Sequence, residues 1–147
     1  MLAAFGFGVG LAPRAPGTFG TLLAIPLWWF FSGAGPLIYL MLAMTGFVAG
    51  VWICNRATPL LGEHDHPGIV IDEVVGFFAA LVVVPTNLAW LALSFVVFRL
   101  FDILKPWPIG WLDSNVDGGL GIMLDDLIAG VFTAAVMLVA IRLAGAG

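Results

Sequence analysis

Between residues 36 and 54 the chain reads PLIYLMLAMTGFVAGVWIC, without a single charge. An apolar run of this length has one favourable surrounding, the hydrocarbon of a bilayer, because about 20 helical residues cross it with every backbone group paired internally. Residues 122–143 form a second run of comparable length, and 18–31, 69–84 and 88–104 are shorter apolar segments bounded by proline, glycine or charge. The segments at 18–31 and 69–84 are short for a full crossing, so they either thin the bilayer locally or re-enter from one side. The 147-residue chain is 62% hydrophobic and 10% charged, with a mean hydropathy of +1.13, more apolar material than a water-soluble core of this size uses. The expected fold is all-α: residues 1–147 as a single membrane-embedded domain, a polytopic bundle of about five hydrophobic helices.

If all five segments cross, their connections alternate sides. Residues 32–35 and 85–87 are uncharged and minimal, whereas the opposite side receives the N-terminal segment, the loops 55–68 and 106–121, and the segment ends bearing Asp72, Glu73, Arg99, Asp102, Lys105, Asp125 and Asp126. Four cations, Arg14, Arg56, Arg99 and Lys105, lie there, Arg142 being the exception. The positive-inside rule assigns this face to the cytoplasm. Nine acids against five bases argue against a nucleic-acid partner, which needs cations for its phosphates. The opening MLAAFGFGVGLAPRAPG lacks the cationic start of a secretory signal and reads as mature sequence. The single cysteine, Cys54, excludes an internal disulfide and a Cys-rich metal site, and is expected as a small buried hydrophobe.

GIVIDEVVG at 68–76 and GIMLDDLIAG at 121–130 share one order of glycine, apolar residues, two acids and apolar residues. The spacing places Asp72, Glu73, Asp125 and Asp126 in the first turn of a helix, where the dipole favours anions. That accounts for one acid; two adjacent acids at two helix starts, each costing about 2.5–3.5 kcal/mol if held deep in a bilayer, ask for more. Neighbouring helical residues diverge by about 100°, so one carboxylate of each pair need face the bundle centre, and Gly76, Ala129 and Gly130 a turn later allow close helix approach. Clustered carboxylates without thiolates suit Mg²⁺.

In FRLFDILKP, Arg99, Asp102 and Lys105 recur every three residues before proline stops the helix. They read either as a charge-compensated helix end or as cations for a phosphate beside the metal, with Trp107 and Trp111 as interface anchors. His64 and His66, in EHDHP, suit general acid or base work or are simply solvated. Arg14 and Thr18, in LAPRAPGTFG, mark an anion-binding turn with Thr18 as helix cap, or an ordinary capped helix. Residues 113–118 open like a calcium loop, but the twelfth position is Leu124 where a bidentate Glu is required. Neither GFGVG at 6–10 nor GGLG at 118–121 has the setting of a nucleotide loop. A small ion or proton transporter using the paired carboxylates is the rival function class; against it, the far half of the bilayer lacks a polar relay.

Taken in order, APRAPGTFGTLLAIPL, HDHPGIVIDEVVG, FRLFDILKPWPIGWLD and DGGLGIMLDDLIAG resemble the phosphatidylglycerophosphatase A family across residues 6–140, with little likeness in 32–51. The resemblance implies a Mg²⁺-dependent lipid phosphatase of the bacterial inner membrane, its site facing the cytoplasm, that converts phosphatidylglycerophosphate to phosphatidylglycerol and inorganic phosphate. On that reading Asp72, Glu73, Asp125 and Asp126 hold the metal, Arg14, Thr18, Arg99 and Lys105 bind the substrate phosphate, and Asp102, His64, His66 and Lys105 are the catalytic candidates. The attacking group is either water or a carboxylate such as Asp102.

Overall fold

The computed structural model describes residues 1–62 and 66–145. Among them it is all-helical, with six α-helices and no strand: α1 (Pro16–Phe31), α2 (Pro36–Leu61), α3 (Ile71–Ala80), α4 (Leu88–Leu104), α5 (Ile109–Asn115) and α6 (Gly118–Leu143), preceded by a 3-10 segment at Gly6–Leu11 and with another, Leu81–Val83, after α3. Two helices, α2 and α6, are long and apolar enough to cross a membrane, at 26 residues each, or about 39 Å.

The helix ends follow local chemistry. Pro36 begins α2 at the position where a missing N–H costs nothing, and Gly62, at φ 75°, ends it with its amide on the Thr58 carbonyl at 3.1 Å. Asn87 caps α4, its Oδ1 accepting from the Ala89 amide at 2.8 Å. Four expectations are corrected. Thr18 is not the cap of α1; the helix starts at Pro16, after Ala15 in the left-handed region, because proline's fixed φ and absent donor suit the first helical position. The loop expected from residue 55 begins only after Leu61, and α5 occupies the middle of the loop expected at 106–121. Finally, α6 starts at Gly118, so Asp125 and Asp126 lie about two turns inside it, beyond the reach of the helix-start dipole. The early start is held by Asn55 of α2, whose Oδ1 accepts from the Gly119 amide at 2.7 Å.

The short helix α3 is central, with Val74, Val75, Phe77, Phe78 and Ala80 all buried. Phe77, Phe98, Leu81, Trp28 and Met137 fill the main core between α1, α3, α4 and α6, while Cys54, Ala57, Ile69, Val75 and Met123 pack a second cluster. The outward surface is also apolar: Leu37, Met41, Met44, Val48 and Trp52 of α2 are exposed, an arrangement that suits lipid rather than water.

At the α3–α6 crossing the backbones nearly touch. A Cβ on Gly76 would sit 2.5 Å from the Asp126 carbonyl oxygen, and one on Gly130 would strike the Gly76 carbonyl. Gly130→Val is therefore expected to destabilise the protein by about 1–3 kcal/mol or more, read as a lowered unfolding temperature in detergent, with activity falling in parallel.

Candidate active site

Asp72 lies four residues before Gly76 and Asp126 four before Gly130, so the close crossing brings carboxylates one turn away together. One oxygen each from Asp72, Glu73 and Asp126 lies within 4.8 Å of the others. Asp72 and Asp126 are buried, and Glu73 is nearly so. Both acids of the α3 pair turn inward because α3 is enclosed on every side. In α6 the pair divides: Asp126 joins the cluster, and Asp125 turns to Lys105, accepting from Nζ at 2.8 Å.

The cations come from α4. Arg99 donates through Nη1 to Asp102, lies 3.8 Å from Glu73 Oε1, and donates to Thr21 Oγ1 at 3.4 Å. Thr21 in turn donates to the Gly17 carbonyl at 2.8 Å. Glycine is required on this face of α1: a Cβ at Gly17 would strike Glu73, and one at Gly20 would lie 2.6 Å from Val70 Cβ. Lys105 closes α4 in the left-handed region, with Nζ donating to Asp113 Oδ1 at 2.6 Å and to Asp125. Burial pulls the Lys105 pKa down, but the hydrogen bonds it donates to Asp113 and Asp125, together with their charges, outweigh it and hold the ammonium above its ordinary range.

These groups surround one cavity of about 220 Å³, lined by Ala15, Pro16, Gly17, Pro67, Ile69, Asp72, Glu73, Arg99, Asp102, Lys105, Asp125 and Asp126. A larger cavity of about 400 Å³, between Trp28, Tyr39 and Pro85, has no charged residue in its wall and offers nothing to a phosphate. Glu73 Oε2 and Arg99 Nε are buried without a hydrogen-bond partner among the described residues. Three converging carboxylates, one with an unsatisfied oxygen, repel one another unless a cation lies between them, and all-oxygen donors fit a hard divalent ion.

The structure thus gathers Asp72, Glu73, Asp126, Arg99, Asp102, Lys105 and Asp125 in one place. Arg14 is exposed and Thr18 half-buried, and neither lines the cavity. His66 is tied into a turn, its Nδ1 accepting from the Gly68 amide at 3.0 Å and its ring edge-on to Phe5 at 5.9 Å, and only its neighbour Pro67 reaches the cavity wall. His64 lies outside the described residues. Sequence reasoning missed Thr21, Asn55 and Asp113. The signal for Asp113 was its place one helical turn after Ile109, but it was weighed only as part of a calcium loop.

A family model for phosphatidylglycerophosphatase A matches residues 2–141. The chain is 46% identical over 137 residues to phosphatidylglycerophosphatase A of Escherichia coli (strain K12), covering 92% of this chain and 80% of the relative. It is 41% identical over 141 residues to the Haemophilus influenzae protein of the same name, with coverages of 92% and 85%. A Bacteroides thetaiotaomicron relative, 37% identical over 148 residues with coverages of 95% and 92%, carries a provisional name as a phosphatidylinositol-3-phosphatase. No solved structure matches the chain. With a matching model over nearly its whole length and relatives at 46% and 41% identity over 92% of it, the chain belongs to the phosphatidylglycerophosphatase A family.

Proposed function

We propose that the chain is a membrane phosphatase that hydrolyses phosphatidylglycerophosphate to phosphatidylglycerol and inorganic phosphate, in a cavity at the cytoplasmic surface of the bacterial inner membrane. The observation that carries this reading is the meeting of Asp72, Glu73 and Asp126 with Arg99 and Lys105, from three helices, around one small cavity. Cations opposite a carboxylate cluster are what a phosphate monoester and a divalent ion need together. The apolar exterior keeps the acyl chains of the lipid in the bilayer while its terminal phosphate enters the cavity.

Asp72, Glu73 and Asp126 would hold Mg²⁺, which when bound supplies positive charge for the phosphoryl oxygens. Arg99 and Lys105 bind and orient the phosphate and neutralise charge that develops on it. Asp125 keeps Lys105 at the cavity, and Thr21 and Asp102 hold Arg99 in place. Arg99's donation to Asp102 draws density from that carboxylate, which makes it a weak nucleophile, so water is the attacker we favour. A water oxygen bonds to phosphorus as the water gives up a proton, the bond from phosphorus to the glycerol oxygen breaks, and that oxygen takes up a proton in balance, so that phosphatidylglycerol and inorganic phosphate leave. Arg14 and Thr18 remain candidates for guiding the anion, and His64 and His66 for moving protons.

In the membrane we assign five crossings, α1, α2, α3 with its 3-10 continuation, α4 and α6. At ten residues, about 15 Å, α3 is far shorter than the bilayer, a length tolerated because neighbouring helices cover it. Arg14, Arg56, Arg99 and Lys105 then share the cytoplasmic side. A transporter is less favoured, since the far cavity holds no charge.

Purified protein stripped with EDTA is expected to lose phosphate release from phosphatidylglycerophosphate and to regain it with Mg²⁺ but poorly with the larger, more flexibly coordinated Ca²⁺. Full activity in excess EDTA would remove the metal from the proposal. Rapid quench with phosphate-labelled substrate is expected to trap no hydroxylamine-sensitive phospho-enzyme; capture of one that disappears in Asp102→Asn would make Asp102 the attacker.

A further inference from the structure

Lys105 is constrained both in its backbone and at its ammonium. Its backbone lies at φ 43° and ψ 55°, a left-handed conformation unfavourable for an L-residue. Its ammonium is fastened on two sides, to Asp125 Oδ2 at 2.8 Å and to Asp113 Oδ1 at 2.6 Å. An ammonium has three donors, so one is left for an incoming oxygen.

The two carboxylates are unlike. Asp125 belongs to the bundle, with its side chain 8% exposed, whereas Asp113 is 37% exposed and does not line the cavity. It belongs to α5, and the chain folds back to bring it there. The Ile109 amide donates to the Pro106 carbonyl at 2.8 Å and the Gly110 amide to the Lys105 carbonyl at 3.2 Å. A Cβ at Gly110 would lie 2.7 Å from that same carbonyl oxygen, so the turn admits only glycine without a shift. Ile109 is fully buried and sets the rotation of α5; Asp113, four residues on, lies on the same face and so points toward Lys105.

We propose that Asp113 is a positioning residue for the lipid phosphate: it holds the Lys105 ammonium between two carboxylates so that its remaining N–H faces the cavity. Without Asp113, the buried Asp125 takes the ammonium into a closed pair, and the phosphate meets a cation turned away from it. The inference rests on the reading of Lys105 as a phosphate ligand.

The test is a double-mutant cycle on the full-length purified protein, with phosphatidylglycerophosphate as substrate and inorganic phosphate as competing ligand. Misplacing a binding cation by an ångström costs up to about 10²-fold. Asp113→Asn is expected to lower kcat/KM by about 10-fold, to weaken inhibition by phosphate by a similar factor, and to leave the unfolding temperature near wild type. Lys105→Met is expected to cost about 10²-fold, and the double variant no more than Lys105→Met alone. Asp113→Glu, which keeps the charge, is expected to recover part of the loss. Losses that multiply in the double variant, phosphate inhibition unchanged in Asp113→Asn, or no recovery in Asp113→Glu would each overturn the inference while leaving Lys105 as a ligand. Near-normal activity of Lys105→Met would overturn both.

Discussion

Asp126→Asn is expected to lower kcat/KM by about 10³-fold or more, the scale on which losing a principal charge-stabilising group slows an enzyme. Asp126 stands where α3 and α6 cross most closely, its side chain sharing a 4.8 Å cluster with Asp72 and Glu73. The amide keeps size and shape but is a poorer ligand for a hard cation, and it removes one charge from a crowded set. The sign of the stability change separates this role from a structural one. Three carboxylates crowd together beside one nearby guanidinium, Arg99, so in EDTA Asp126→Asn is expected to unfold at the same or a higher temperature than wild type, and added Mg²⁺ to raise it less. Lost activity with a lower unfolding temperature in EDTA, or activity within a few-fold of wild type, would count against the metal role.

Arg99→Lys is the second large effect, expected at about 10²-fold in kcat/KM although the charge is kept. Arg99 reaches Asp102, Thr21 and Glu73 at once, and its side chain is 17% exposed. All three contacts are made by one nitrogen, Nη1; a lysine ammonium is a compact point charge on a shorter stem, and it lacks the other guanidinium donors that a planar fork can turn to a phosphate. Removing the charge altogether is a poorer test, because Glu73 and Asp102 would be left uncompensated in a largely buried setting, a loss of about 3–5 kcal/mol. The measurement is steady-state kinetics beside a thermal melt; Arg99→Lys with wild-type kcat/KM would show that only the charge matters at this position.

What could be read without coordinates was whatever depends on the solvent. Apolar runs mark where lipid begins and ends, and α1, α4 and α6 were located that way to within a few residues. The same signal misplaced the end of α2, because hydropathy drops where the helix leaves the membrane while its hydrogen-bond ladder continues through Asn55 to Leu61. Helix α5 was hidden, since seven residues make too short a period to see and are not stable alone; its Asp113 was hidden with it. The paired acids announced a site, yet which member of each pair faces inward depended on packing. Both acids of α3 turn in because that helix is enclosed on all sides, while Asp125 and Asp126 part company because Lys105 waits on one flank of α6. No local pattern carries that information.

The two cavities differ in a way that reaches beyond the chemistry. On the proposed reading, the charged cavity lies at one end of the bundle and an uncharged hollow at the other, so the enzyme would not act on lipids in the far monolayer. Substrate arriving there would first have to flip across, whereas substrate in the near monolayer would reach the cavity without changing leaflet.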